Sequence, residues 1–124
     1  MYASIGLARE NKAGRLQQLT KNFGFFGAPT GLFLHCPRFM GPPQWADMGM
    51  WLQSLMLLLV EAGLASCAQE SWAHYPVTVR RHVPIPDEHI LFCGLAIGYA
   101  DTSAPLNGFP NERAPLQESI TFLG

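Results

Sequence analysis

The stretch from Gln44 to Ala65, QWADMGMWLQSLMLLLVEAGLA, limits what this chain can fold into more than any other, because only there is an apolar pattern long and periodic enough to organise a core. Trp45, Met48, Leu52, Leu55, Leu59 and Ala62 follow the alternating three- and four-residue steps of one helix face. The opposite face is scarcely more polar. Met50, Trp51, Met56, Leu57, Leu58 and Val60 leave only a thin stripe of Asp47, Ser54 and Glu61. A helix apolar almost all round is expected to be buried almost all round, which makes this stretch a central core helix. Pro43 suits its first turn, and Gly63 followed by Leu64 reads as its stop. A membrane span is disfavoured, since the uninterrupted run Leu55 to Val60 falls far short of the ~20 residues a bilayer requires.

At 124 residues, 48% apolar and 14% charged, the chain has the size and balance of one globular domain. A net charge of −1 gives no electrostatic pull toward nucleic acid or an anionic membrane. Three Trp and eight Phe on so lightly charged a chain predict that much of the surface is covered, by a second subunit or by a further part of the same chain. Cys36, Cys67 and Cys93 are odd in number and lack paired spacing. They fit a reduced, cytoplasmic protein better than a disulfide scaffold. His35, His74, His82 and His89 are scattered through the sequence, and no metal site is expected from them. The opening MYASIGLARENKAG has no apolar core followed by a cleavage site, so no signal peptide is expected.

Taken in order, Tyr2 to Phe25 reads as a helix broken or bent near Gly14, and Gly24, Gly27 and Pro29 end it. Thr30 to Cys36, TGLFLHC, reads as a short buried strand closed by Pro37. After the long helix, LASCAQESWAHYP is too irregular for either period and reads as a loop, the kind of segment that carries sites. Pro76 opens a short helix through His82, stopped by Pro84 and Pro86. Ile90 to Tyr99, ILFCGLAIGY, is apolar throughout and reads as a central strand covered on both faces. Within it Gly94 and Gly98 leave room for another backbone or a flat ligand. The tail from Ala104 is rich in Pro and Asn until Ser119 to Leu123 resumes a strand-like pattern, and it is expected to run over a surface, with that of another subunit as a candidate.

Little catalytic chemistry is legible. Glu70 and Ser71 suggest a base and a nucleophile, but no His stands in a defined relation to Ser71 and GxSxG is absent. A polar loop capping its neighbours explains them as well. Arg113, in NERAP, is either a plain surface arginine or a guanidinium placed to hold a phosphate bidentately. On residues alone the chain is a soluble α/β or α+β protein with no identifiable active site.

The segments GAPTGLFL (Gly27 to Leu34), QWADMGMWLQSLMLLLVEAGL (Gln44 to Leu64), CAQESW (Cys67 to Trp72), LFCGLAIGYAD (Leu91 to Asp101) and NERAPL (Asn111 to Leu116) together resemble the nitroreductase family, most closely its nitrobenzoate reductase type. The likeness covers nearly the whole chain but only the later portion of the family's sequence. It implies an α+β, nitroreductase-like fold: a buried central helix against a mixed sheet, with an extended C-terminal arm. It also implies a single domain over residues 1–124, truncated on its N-terminal side.

The family consists of homodimeric, FMN-dependent NAD(P)H oxidoreductases acting on nitroaromatic or quinone acceptors. By resemblance, Glu70 and Ser71 sit in the loop whose backbone N–H groups face the flavin ring at N5 and O4. Cys67 to Gln69 would line the ring edge there, Gln69 included. Arg113 matches the family's C-terminal residue that pairs with the FMN phosphate, and Asn111 stands where some members carry Lys. The long helix resembles the one at the centre of the family's dimer, and the tail from Ala114 resembles the arm that crosses to the partner. No catalytic side chain is implied. The alternative is a non-catalytic fragment, or a partner-dependent subunit lacking the N-terminal half that binds the FMN phosphate.

Overall fold

The structure is a computed structural model and describes residues 5–108 and 112–123. Its centre is the apolar segment near the C-terminal end. His89–Gly98 forms strand β3, the middle of a three-stranded sheet, with Thr30–Pro37 (β1) on one side and Ala65–Gln69 (β2) on the other. Both neighbours pair antiparallel to β3, so the described strands form an antiparallel sheet where a mixed one was expected. The expected central strand is therefore central, shifted by one residue at each end. Leu95 at its middle is 0% exposed.

A bulge interrupts the β1–β3 ladder. Leu34 stands opposite Cys93 but His35 stands opposite Leu91, leaving Phe92 as the extra residue. Such an insertion resets the alternation of side chains between the two faces. Leu91 thereby joins Val79 and Ile85 in a small core, against which Phe33, Trp72 and Val83 pack.

The N-terminal helix, α1, is Lys12–Thr20. Gly14 does not bend it. It lies in the first turn, where Oδ1 of Asn11, the N-cap, accepts from the Gly14 N–H at 2.9 Å and satisfies one of the free donors. Lys21–Gly27 follows as a 3₁₀ segment in which Phe25 and Phe26 take φ of 50° and 53°, left-handed backbone that bulky residues rarely adopt.

The long helix, α2, runs Pro42–Glu61. It ends as read from the sequence: Gly63 takes φ 76°, the Leu64 N–H bonds the Leu59 carbonyl and the Gly63 N–H bonds that of Val60. Its burial is different from the expectation. No residue of α2 is fully buried. Met48, Leu52, Leu55 and Leu59, four of the six residues of the expected inner face, are half-buried. The other face stands open, with Trp51 49%, Leu58 60% and Val60 66% exposed. Periodicity identified the helix and the face that turns inward, but this chain supplies one layer of cover where an all-round apolar helix calls for two.

The segment read as an irregular loop is ordered. It comprises β2 and a 3₁₀ helix at Glu70–His74, and the short helix expected after it, α3, is Pro76–Arg80, two residues shorter than predicted. The tail carries a single turn of 3₁₀ helix at Leu116–Glu118, and residues 119–123 form no strand here. Among the described residues no helix is long and apolar enough to cross a membrane.

Candidate functional site

Four of the predicted residues lie at one corner of the sheet. Among the described residues β2 is an edge strand, paired on one side only, with Cys67 opposite Ala96 and Gln69 opposite Gly94. After Gln69 the chain turns directly into the 3₁₀ helix. The first N–H groups of a helix have no partner within it, so Glu70 and Ser71 bring backbone donors to the sheet edge.

Aromatic packing fixes this corner. Trp72 lies over β3 at Gly94, where a Cβ would fall within the indole, 2.9 Å from Nε1. Phe25 stacks on Trp72 with ring centroids 5.0 Å apart and planes at 28°, while Phe23 and Phe33 meet it edge-on at 5.2 and 5.0 Å. The space at Gly94, expected to admit a backbone or a flat ligand, is taken by the protein's own tryptophan. Gly98 likewise faces Pro29.

Gln69 fastens the same corner from within. It is 2% exposed, and its Nε2 donates to the Asn22 carbonyl at 2.8 Å. Its Oε1, like Trp72 Nε1, is buried with no hydrogen-bond partner among the described residues. The Gln69 side chain therefore points inward, away from the exposed side of β2. Cys67 and Glu70 are exposed and Ser71 is half-buried. Partial loss of hydration pushes the Cys67 thiol up, and burial followed by the charge of Glu70 pushes the Cys93 thiol up. Neither is poised as a thiolate nucleophile.

The remaining two predicted residues are elsewhere. Arg113 is exposed on the tail, where Nη1 donates to the Glu112 carbonyl at 3.3 Å. Among the described residues no hydrogen bond or ion pair joins it to the β2 corner. Asn111 lies outside the described residues. A cavity of about 390 Å³ lies between α1 and residues 104–106, and none of the predicted residues lines it.

Two further arrangements are not legible from local sequence. Trp72 and Asn22 act on the corner across long chain separations. His35 and His89, read as scattered, are brought together by the bulge on β3, with Nδ1 atoms 2.7 Å apart. Loss of hydration and the neighbouring His89 charge hold His35 below the ordinary imidazole value. Among the described residues no group of three or more potential ligands gathers to hold a metal ion.

What the arrangement offers chemically is main-chain donors at the start of the 3₁₀ segment, beside the exposed rim of β2. Comparison with known proteins bears on this. The FMN and NADPH-dependent nitroreductase NfnB from sphigopyxis sp. strain HMH is 62% identical with a TM-score of 0.95, over 99% of this chain and 55% of that one. The FMN-dependent nitroreductase NfnB from Mycobacterium smegmatis, solved in complex with NADPH, is 34% identical with a TM-score of 0.94, over the same shares of the two chains. The 4-nitrobenzoate reductase of Pseudomonas putida is 35% identical over 112 residues, 90% of this chain and 49% of the relative. The chain thus spans about half the length of the curated relatives it matches. The family model described as Nitroreductase family matches residues 3–99, and the chain accordingly belongs to the nitroreductase family.

Proposed function

We propose that this chain forms one wall of the flavin site of an FMN-dependent oxidoreductase that passes hydride from NAD(P)H to nitroaromatic or quinone acceptors. The observation that carries the proposal is the rigid β2 corner. An edge strand and a 3₁₀ start present the Glu70 and Ser71 N–H groups there, backed by Trp72 and Gln69. Relatives with the same fold are described as FMN and NADPH-dependent.

The residues present fit the group in kind. An isoalloxazine ring offers acceptors along one edge, which main-chain donors match, and its phosphate suits a guanidinium such as that of Arg113. FMN, when bound, supplies the two-electron chemistry. The chain's part is to bind and orient. Glu70 and Ser71 direct fixed dipoles at the ring edge, Cys67 flanks it on the exposed strand, and Arg113 with Asn111 serves the phosphate end. No side-chain acid or base is assigned.

The open face of α2 supports a homodimer in which a second copy covers Trp51, Leu58 and Val60. The same exposure supports a second reading, a partner-dependent subunit inactive on its own. Purified protein tests both. Bound yellow flavin and NAD(P)H oxidation with a nitroaromatic acceptor support the first reading. A colourless protein indifferent to added FMN overturns it in favour of the second.

A further inference from the structure

Two 3₁₀ segments, Lys21–Gly27 and Glu70–His74, are far apart in sequence and are joined by side-chain contacts. Lys21–Gly27 holds two consecutive non-glycine residues, Phe25 and Phe26, in left-handed backbone. Such residues cost on the order of 1–3 kcal/mol each and persist only where the surroundings hold them. Two attachments do so. Phe25 is stacked on Trp72 of the second segment, and the Asn22 carbonyl is held by Gln69, the residue immediately before that segment.

Gln69 is an unusual choice for a simple fastener. A hydrocarbon of its size would fill the site without leaving Oε1 buried and unpartnered. A buried polar group retained at such a disadvantage calls for a task, and its surroundings indicate one. Gln69 sets the start of the 3₁₀ helix, and the next two residues are Glu70 and Ser71.

Resting on the flavin-site reading above, we propose that Gln69 is a positioning residue. Through the Asn22 carbonyl it locks the Lys21–Gly27 segment to the β2 corner and so fixes the direction of the Glu70 and Ser71 N–H groups. It touches no cofactor itself. The hydrogen bond spans 47 residues of sequence. Loosening it frees the one stretch of main chain that has to point in a set direction, while the β2–β3 ladder and the Trp72 seat on Gly94 remain.

The test compares the full chain with Gln69→Met, which keeps length and apolar stem but has no amide donor. FMN is the probe, and three properties are read: flavin affinity, the visible flavin spectrum, and amide hydrogen exchange. Expected for Gln69→Met are a wild-type far-UV spectrum, exchange at least about tenfold faster at residues 20–27 and 70–72, FMN affinity reduced about three- to tenfold, and a shifted flavin band. A purely structural role would lower thermal stability without moving the band.

Unchanged exchange in both segments overturns the proposal. So does faster exchange with an unchanged flavin spectrum and affinity. If the wild-type chain binds no FMN, the flavin-site reading fails by itself, and the exchange comparison still decides whether Gln69 couples the two segments. Should Gln69→Met not fold, the wild-type exchange profile decides. Residues 20–27 and 70–72 opening as one unit supports the clamp, and their opening at unrelated rates rules it out.

Discussion

Trp72 packs over Gly94, so that one residue of the 3₁₀ segment occupies the space a side chain on the central strand would need. The fit is steric and close, and a methyl group there has nowhere to go but into the indole. Gly94→Ala is expected to destabilise the fold by about 1–3 kcal/mol through overpacking, measured by urea unfolding. The loss should shrink in a Trp72→Leu background, because the two positions share one contact. An equal loss in both backgrounds would place the strain elsewhere.

Arg113 is the cation proposed for the FMN phosphate, and among the described residues its guanidinium donates to the neighbouring Glu112 carbonyl. Arg113→Ala should weaken FMN binding by about 1.5–3 kcal/mol, the range for a hydrogen bond to a charged group. Riboflavin, which has no phosphate, should be indifferent to the change. An FMN affinity equal to that of wild type would remove Arg113 from the site.

His35 and His89 share one Nδ1 to Nδ1 hydrogen bond, which needs one ring to accept and therefore to be neutral there. His35 is held below its ordinary value of 6.5, first by burial and then by His89. The folded protein thus binds fewer protons than the unfolded chain, so its stability is full above about pH 6.5 and declines as pH falls through the folded value. Melting temperature should drop between pH 7.5 and 5.5, and His35→Gln should flatten that drop. A variant as pH-dependent as wild type would show that other groups carry the effect.

Trp51, Leu58 and Val60 on α2 are the surface proposed to meet a second copy. Replacing Leu58 with Lys should raise the dimer dissociation constant at least about tenfold, since burying a leucine contributes about 1.5–3 kcal/mol and a buried lysine opposes association further. Sedimentation equilibrium reads this directly. A wild-type protein that is monomeric at micromolar concentration would leave the apolar face without this partner.

Much of the fold was legible in the sequence wherever one segment's pattern was sufficient. The helix face Met48, Leu52, Leu55 and Leu59, the Gly63 stop, the strand at 30–37 and the apolar strand at 89–98 all follow from local periodicity and local breakers. What escaped depended on distant partners. β2 is a strand because β3 pairs with it, and Ala65, Ser66, Cys67, Ala68 and Gln69 carry too weak an alternation to announce it. The bulge that joins His35 to His89 left no local trace, nor did the burial of Gln69 on Asn22. The open face of α2 follows the same pattern, since hydrophobicity states that a helix needs cover without stating which molecule provides it. Of the candidate site, the segment from Cys67 to Ser71 was found through family likeness, while its rigidity comes from Trp72, Phe25 and Gly94, which no spacing rule connects.

The central claim is that the Glu70 and Ser71 main chain meets the flavin. Backbone amide chemical shifts recorded during titration with FMN test it most directly. The account predicts that the largest saturable changes fall on Glu70 and Ser71, with smaller ones spreading to Cys67 and Trp72. Saturable FMN binding that leaves both amides unmoved, or no binding at all, would contradict it.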